Sequence, residues 1–212
     1  MYRTEWRNPS THDYKLDFDE SEALLAIVSV SAFACLLLDQ IAERLAYVKS
    51  QADAERQKDT LIAQFSHSVN ESLPDRVVEL LDQFCRTQVP MVAAGNERPT
   101  ESQLIGSLHG FLSFAAPELN VLAQPSLTAS GRRFRPDLIV VRGDDRVVVE
   151  VKRSMMMGSV DGGVAQVERY MLAGGIKNGI LLLLPETPGD MRRVESPVNS
   201  IDGKLVVLLP SS

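Results

Sequence analysis

The first regular pattern along the chain is a run in which almost every position is apolar. Leu24, Leu25, Ile27, Val28, Val30, Phe33, Leu36, Leu37 and Leu38 are separated only by small residues, Ser29 and Ser31 among them, and Asp39 closes the run. A helix apolar on every side is expected to be buried all round or packed against a second subunit. A membrane span needs roughly 20 such residues, with a lower limit of about 17, and this run falls short of it. The pattern then becomes amphipathic, with Ile41, Leu45 and Val48 predicted inward and Glu43, Arg44 and Lys49 outward. It continues through a charged stretch into Leu61, Ile62, Phe65 and Val69, as one long helix or two in a hairpin. Pro74-Asp75 opens a further helix to Arg86, with Val77, Val78, Leu80, Leu81 and Phe84 inward. Thr100-Glu101-Ser102-Gln103 is a capping-box signature. The helix it opens carries Leu104, Ile105, Leu108, Phe111 and Leu112 on one face and stops before Pro117.

From Asn120 the period shortens towards that of strands. Asn120 to Thr128 predicts a strand, and Ser130-Gly131 turns the chain into the stretch Arg132 to Val141. A second β-branched run, Val147 to Lys152, follows the turn Arg142-Gly143-Asp144-Asp145-Arg146. Met155, Met156 and Met157 read as core filler, and Gly158 to Gly163 as a mobile linker with no phosphate-loop ending. A helix over Val164–Leu172 ends at Gly174-Gly175. Gly179 to Leu184 predicts a buried strand, the segment from Glu186 through Pro188, Arg192, Arg193 and Pro197 a loop, and Lys204 to Leu209 a last strand. From Glu101 onward the order is helix, three strands, helix, two strands (αβββαββ), an α/β pattern. Strands this apolar predict a sheet covered on both faces. Three regions follow: an irregular arm over 1–20, a helical extension over 21–98 able to form a homodimer, and a folded domain over 99–212.

Composition narrows the classes. Cys35 and Cys85 sit far apart in apolar helical patterns, which predicts reduced, buried thiols of a cytoplasmic protein. His12, His67 and His109 have no zinc-ligand spacing with them. No basic start precedes the apolar run, so it does not read as a secretory signal. The net charge of −6 argues against a protein that coats nucleic acid indiscriminately. Its distribution is uneven: residues 1–130 carry 10 Lys/Arg against 18 Asp/Glu, whereas residues 131–153 carry 7 against 4. A local basic patch can still meet phosphate.

That basic segment also holds the candidate chemistry. Glu150 and Lys152, two apart on one strand, leave the same face. If Arg142 pairs near Asp145, Asp137 falls opposite Glu150 and joins them; a slip of one residue would send it to the other side. Two carboxylates and one ammonium at the edge of an apolar sheet are costly to leave unpaired. Mg²⁺ would resolve that cost, because it takes one or two carboxylates and completes its shell with waters and phosphate oxygens. The bland alternative is a strand pair whose Glu150 and Lys152 form a surface ion pair. Gln166 and Tyr170, four apart, share one helix face.

Pro136-Asp137, Glu150-Val151-Lys152 at the end of the next strand, and Gln166 with Tyr170 on the following helix resemble the PD-(D/E)xK nuclease superfamily, whose fold is restriction-endonuclease-like. Within it the pattern is most similar to amino-terminal nuclease domains of type I restriction motor subunits and to RecB-type nucleases. The likeness covers about residues 100–185. It implies a mixed β-sheet flanked by helices, and a Mg²⁺-dependent endonuclease, with Mn²⁺ as substitute, acting on DNA in restriction, phage defence or repair. It implies Asp137, Glu150 and the Val151 carbonyl as metal ligands, with Glu101 as a further acid bound directly or through water. Lys152 would orient and help deprotonate the attacking water, and Gln166 and Tyr170 would hold the site or the nucleic-acid backbone. Arg132, Arg133, Arg135 and Arg153 would contact phosphates. Partner proteins of a restriction or defence system, and a catalytically silent binding module, are the associated alternatives, and a membrane tether is the weakest expectation.

Overall fold

In a computed structural model the apolar runs of the second half of the chain pair into one mixed sheet. The structure describes residues 19–56, 71–87, 99–153, 157–185 and 189–211, without the side chains of 157–159. Of the expected arm over 1–20, residues 1–18 lie outside these, as do the apolar positions Leu61, Ile62, Phe65 and Val69, and Met155 and Met156. The helices are α1 (Glu20–Arg56), α2 (Leu73–Thr87), α3 (Glu101–Ala115) and α4 (Met157–Gly174). The strands are β1 (Asn120–Ala123), β2 (Leu127–Ala129), β3 (Arg132–Phe134), β4 (Leu138–Arg142), β5 (Asp145–Lys152), β6 (Asn178–Leu183), β7 (Met191–Val198) and β8 (Gly203–Pro210).

Six strands form one sheet in the order β1-β4-β5-β6-β8-β7, and β2 and β3 make a separate hairpin. The β5–β6 and β6–β8 pairs are parallel; β1–β4, β4–β5 and β7–β8 are antiparallel. The fold is therefore mixed α/β. Alternation along the strands sends Leu138, Val140, Val147, Val149, Ile180 and Leu182 to one face, where they pack with α2 and α3. Ile139, Val148, Leu181, Leu183 and Leu205 go to the other, against Val167 and Met171 of α4. Both faces are covered, which is why these strands read as almost uninterrupted apolar runs.

Four expectations are corrected. The single strand expected over Asn120–Thr128 breaks at Gln124, which takes a positive φ of 46°, and its second part pairs with Arg132–Phe134 instead. The stretch 191–198, expected as a loop, is an edge strand on β8, the position where its Pro197 costs a ladder least. Gly158 to Gly163 lie in the first turns of α4 and not in a mobile linker. That helix ends in a Schellman arrangement: Ile176 N–H donates to the Met171 carbonyl at 2.9 Å while Gly175 stands at φ +58°.

The fourth concerns the helical extension. The chain divides into two compact units, Met1–Ile41 and Ala42–Ser212, so the expected boundary at 99 falls inside the second. The reason is packing: Leu73, Val77, Leu80, Leu81 and Phe84 of α2 and Ala54 of α1 share one core with the sheet. Within this unit α1 meets α3 where α3 carries Gly106 and Gly110. A Cβ at either would collide with the backbone carbonyl of Glu43 or Tyr47. This close approach turns Ser50, Asp53 and Ala54 inward and leaves Ile41, Leu45 and Val48, predicted inward, exposed, while Arg44 and Lys49 are exposed as predicted. Arg44 caps the ring of Tyr47, and that ring meets His109 edge-on at 4.7 Å.

Alanine at Gly106 or Gly110 tests this contact. Helix propensity alone favours alanine by about 0.8–1 kcal/mol. The clash is with backbone, which cannot rotate away, and overpacking costs about 1–3 kcal/mol. Each substitution should therefore lower the urea midpoint, and a raised midpoint would show that the two helices are free to separate.

Candidate active site

The site grows out of the β4–β5 hairpin. Gly143-Asp144 makes a two-residue turn that pairs Arg142 with Asp145, and the register runs on to Leu138 opposite Val149. One step further places Asp137 opposite Glu150, the pairing the sequence analysis required. Asp137 Oδ2 accepts the Val151 N–H at 2.7 Å, and Lys152 Nζ lies 2.7 Å from Glu150 Oε1. Asp137, Glu150 and Lys152 thus converge on the α4 side of the sheet, at its carboxyl-terminal edge.

Pro136 helps to open this edge. In the continued register it would stand opposite Val151, yet proline has no N–H to give that residue's carbonyl. The ladder ends, and the Asp137 carboxylate takes over the Val151 N–H. Val151 presents its carbonyl on the same side as its N–H, because Lys152, the next residue along, turns its own carbonyl towards β6 and accepts the Leu184 N–H at 2.8 Å. Behind the site, the Gln124 N–H donates to the Asp137 carbonyl at 2.8 Å. Gln124 was not foreseen: nothing in the local pattern signals a positive φ at a glutamine.

Burial sets the electrostatics. Asp137 is 6 % and Glu150 2 % exposed. Desolvation raises the Asp137 carboxyl from 3.8 to about 7, reinforced by the Glu150 charge and opposed by the Val151 N–H. Glu150 is raised too, again first by desolvation, with the Lys152 hydrogen bond and charge opposing. For Lys152 burial works downward but is outweighed by the hydrogen bond to Glu150 and the surrounding acids, so its amine is held above the ordinary lysine range. The Tyr170 hydroxyl is raised by burial and by the charges of Glu150 and Asp137; it accepts Gln166 Nε2 at 2.6 Å.

Glu101 begins α3 and is exposed, but its charge raises both buried acids. With Leu104, Ile105, Val151, Lys152 and Arg153 it lines a hollow of about 170 Å³. Among the described residues no three His, Cys, Asp or Glu side chains gather closely enough to hold a metal ion. The carboxylates available are therefore two, Asp137 and Glu150. They fit a hard divalent cation: Glu150 Oε2 is buried with no hydrogen-bond partner, and Mg²⁺ accepts two carboxylates with carbonyl and water oxygens.

The arginines are spread more widely than expected. Arg132 and Arg133 stand on β3, in the hairpin and not on β4, which Asp137 immediately precedes; Arg135 donates to the Gln124 carbonyl at 3.2 Å. All three are exposed, as is Arg153 at the end of β5. The hairpin reaches the α4 side of the sheet through Phe134, whose ring meets that of Tyr170 edge-on at 6.3 Å.

No family model and no curated protein matches this chain. Among solved structures, a chain from the tetradecameric assembly of Thermococcus gammatolerans McrB AAA+ hexamers with bound McrC aligns with a TM-score of 0.37 and 14% identity. The alignment covers 51% of this chain and 27% of that chain, so this chain spans about a quarter of its length. A likeness of that size carries no conclusion about fold family or activity.

The acid pair makes stability depend on pH. A carboxyl raised in the fold contributes stability that is full below its unfolded value, 3.8, and is lost as pH rises through about 7. Without divalent cations the protein should lose on the order of 2–4 kcal/mol across that window. Asp137→Asn keeps an acceptor for Val151 and removes the charge, so its urea midpoint should stay flatter between pH 4 and 8, taken as roughly the titration range. Identical pH profiles would show that the two acids are not coupled through burial.

Proposed function

We propose that the protein is a Mg²⁺-dependent endonuclease that hydrolyses DNA phosphodiester bonds, on a restriction-endonuclease-like core. The observation that carries this reading is the buried Asp137–Glu150 pair across β4 and β5, with Lys152 beside it and one Glu150 oxygen unpartnered. On this reading α3, β1, β4, β5, α4, β6 and β8 form the core, and the β2–β3 hairpin and β7 are additions to it.

Asp137, Glu150 and the Val151 carbonyl would hold the cation, which when bound supplies charge stabilisation for the phosphate and a more acidic water. The protein's own groups do the positioning. Lys152, protonated at neutral pH, donates hydrogen bonds to the incoming water or a phosphate oxygen, and is better suited to that than to taking a proton. Gln166 fixes the Tyr170 hydroxyl beside the acids, and Glu101 lines the hollow together with Lys152. Arg132, Arg133, Arg135 and Arg153 offer exposed cations for the nucleic-acid backbone, which positions substrate without reading its sequence.

Supercoiled and linear DNA incubated with the protein should be cleaved with Mg²⁺ or Mn²⁺ and left intact with EDTA. Asp137→Ala and Lys152→Ala should each slow cleavage at least about a hundredfold. Mg²⁺ should also raise the melting temperature of the parent at pH 8, taken as about one unit above the raised Asp137 value, and not that of Asp137→Asn. Cleavage that survives both alanine substitutions would overturn the assignment. DNA binding without metal and without cleavage would indicate the silent binding module instead.

A further inference from the structure

The apolar run of α1 finds no cover among the described residues. Every large apolar side chain from Leu24 to Leu38 is between 46 % and 66 % exposed, where an all-apolar helix of a water-soluble fold should be buried. Cys35, expected to be buried, is exposed among them. The expectation of a helix buried on all sides is thus not met among the described residues, and what remains is the identity of the occupant.

Two occupants differ in how much of the helix they cover. A second copy could cover a seam with heptad spacing formed by Leu24, Ile27, Leu38, Ile41, Leu45 and Val48. Leu25 and Leu36, three turns apart in one line, lie opposite that seam, and Phe33 lies on its flank. A two-helix contact would leave these three in water. A bilayer covers the whole circumference. The sixteen uncharged residues Ala23–Leu38 span about 24 Å at roughly 1.5 Å per residue. Continued through Gln40, Ile41 and Ala42, with Asp39 as the sole charge, the span reaches the roughly 30 Å of a hydrocarbon core. The ends are marked chemically as well: Asp19, Glu20 and Glu22 precede the run, and Glu43, Arg44 and Lys49 follow it.

We infer that α1 inserts its apolar run across a lipid bilayer and tethers the chain to a membrane as a single-pass anchor. The inference stands apart from the catalytic reading, since it uses none of the residues of the acid pair. Asp39 lies within one turn of the polar end, where local thinning and water defects bring headgroups and water to a carboxylate.

Full-length protein reconstituted from detergent into phosphatidylcholine–phosphatidylglycerol vesicles should float with the lipid and stay there through high salt and alkaline carbonate. Cys35 is the reporter, because the other thiol, Cys85, is buried in the folded unit. A membrane-impermeant maleimide should label Cys35, read at that residue by peptide mass spectrometry, at least about tenfold more slowly in vesicles than in detergent-solubilised, urea-unfolded protein, as access controls thiol reactivity. The variant carrying Ile27→Glu, Val30→Glu and Phe33→Glu should fail to float. Its unfolding midpoint should match the parent in detergent, which separates lost insertion from lost folding. Release of the parent by salt or carbonate, Cys35 labelling undiminished in vesicles, or detergent-free recovery of the parent as a discrete monomer or dimer would each overturn the inference.

Discussion

Two like charges held out of water across one strand pair set the terms for the rest of the site. Desolvation is the largest influence on both Asp137 and Glu150, and the Glu150 charge adds to the cost of ionising Asp137. A structural ion pair needs one acid for each base, and Lys152 already satisfies one oxygen of Glu150. The second carboxylate, and the field of Glu101 beyond it, leave an excess of negative charge that the Val151 N–H only partly offsets. That excess distinguishes the arrangement from the surface ion pair considered at the outset, because Lys152 and Glu150 alone would have needed no Asp137. It also lies in the one segment with an excess of positive charge, so the acids are concentrated and the cations spread around them.

The state of Lys152 follows from the same imbalance. Burial alone would favour the neutral amine, yet Glu150 Oε1 at 2.7 Å and the charges of Asp137 and Glu101 outweigh it. An ammonium so held is a hydrogen-bond donor of fixed direction. Its capacity to accept a proton is correspondingly poor, and any basic role would require the acids to be engaged by another cation first. The chemistry of the amine is thus a property of the acid pair and not of lysine as such.

The parts of the molecule that were legible in the sequence are those governed by local rules. The β4–β5 register followed from a short turn and strict alternation, and Thr100 and Gln103 form the reciprocal cap that their spacing implied. The parts that were not legible depend on contacts distant in sequence. Leu45 and Val48 obeyed an amphipathic pattern and still face solvent, because Gly106 and Gly110 let the backbone of α1 dock by its other side. The β2–β3 hairpin required a left-handed Gln124, which carries no signature. Residues 158–163 read as linker on glycine content, whereas Gly163, which packs against Leu181, shows that a missing side chain serves helix-to-sheet approach. The position of the arginines shifted for the same reason, since Arg132 and Arg133 belong to the hairpin.

The apolar run of α1 and the acid pair break the ordinary burial rule in opposite directions, one exposing what water rejects and the other burying what water solvates. The second violation is local and chemically specific: a few polar atoms, one of them unpartnered, converge on a point. The first is diffuse, spread round a full helical circumference over several turns, with no charged group between Ala23 and Leu38 that would fix the position of a partner. A diffuse violation is relieved by a medium and a focused one by an ion or a ligand. The form of each mismatch, more than its size, therefore indicates what must complete it.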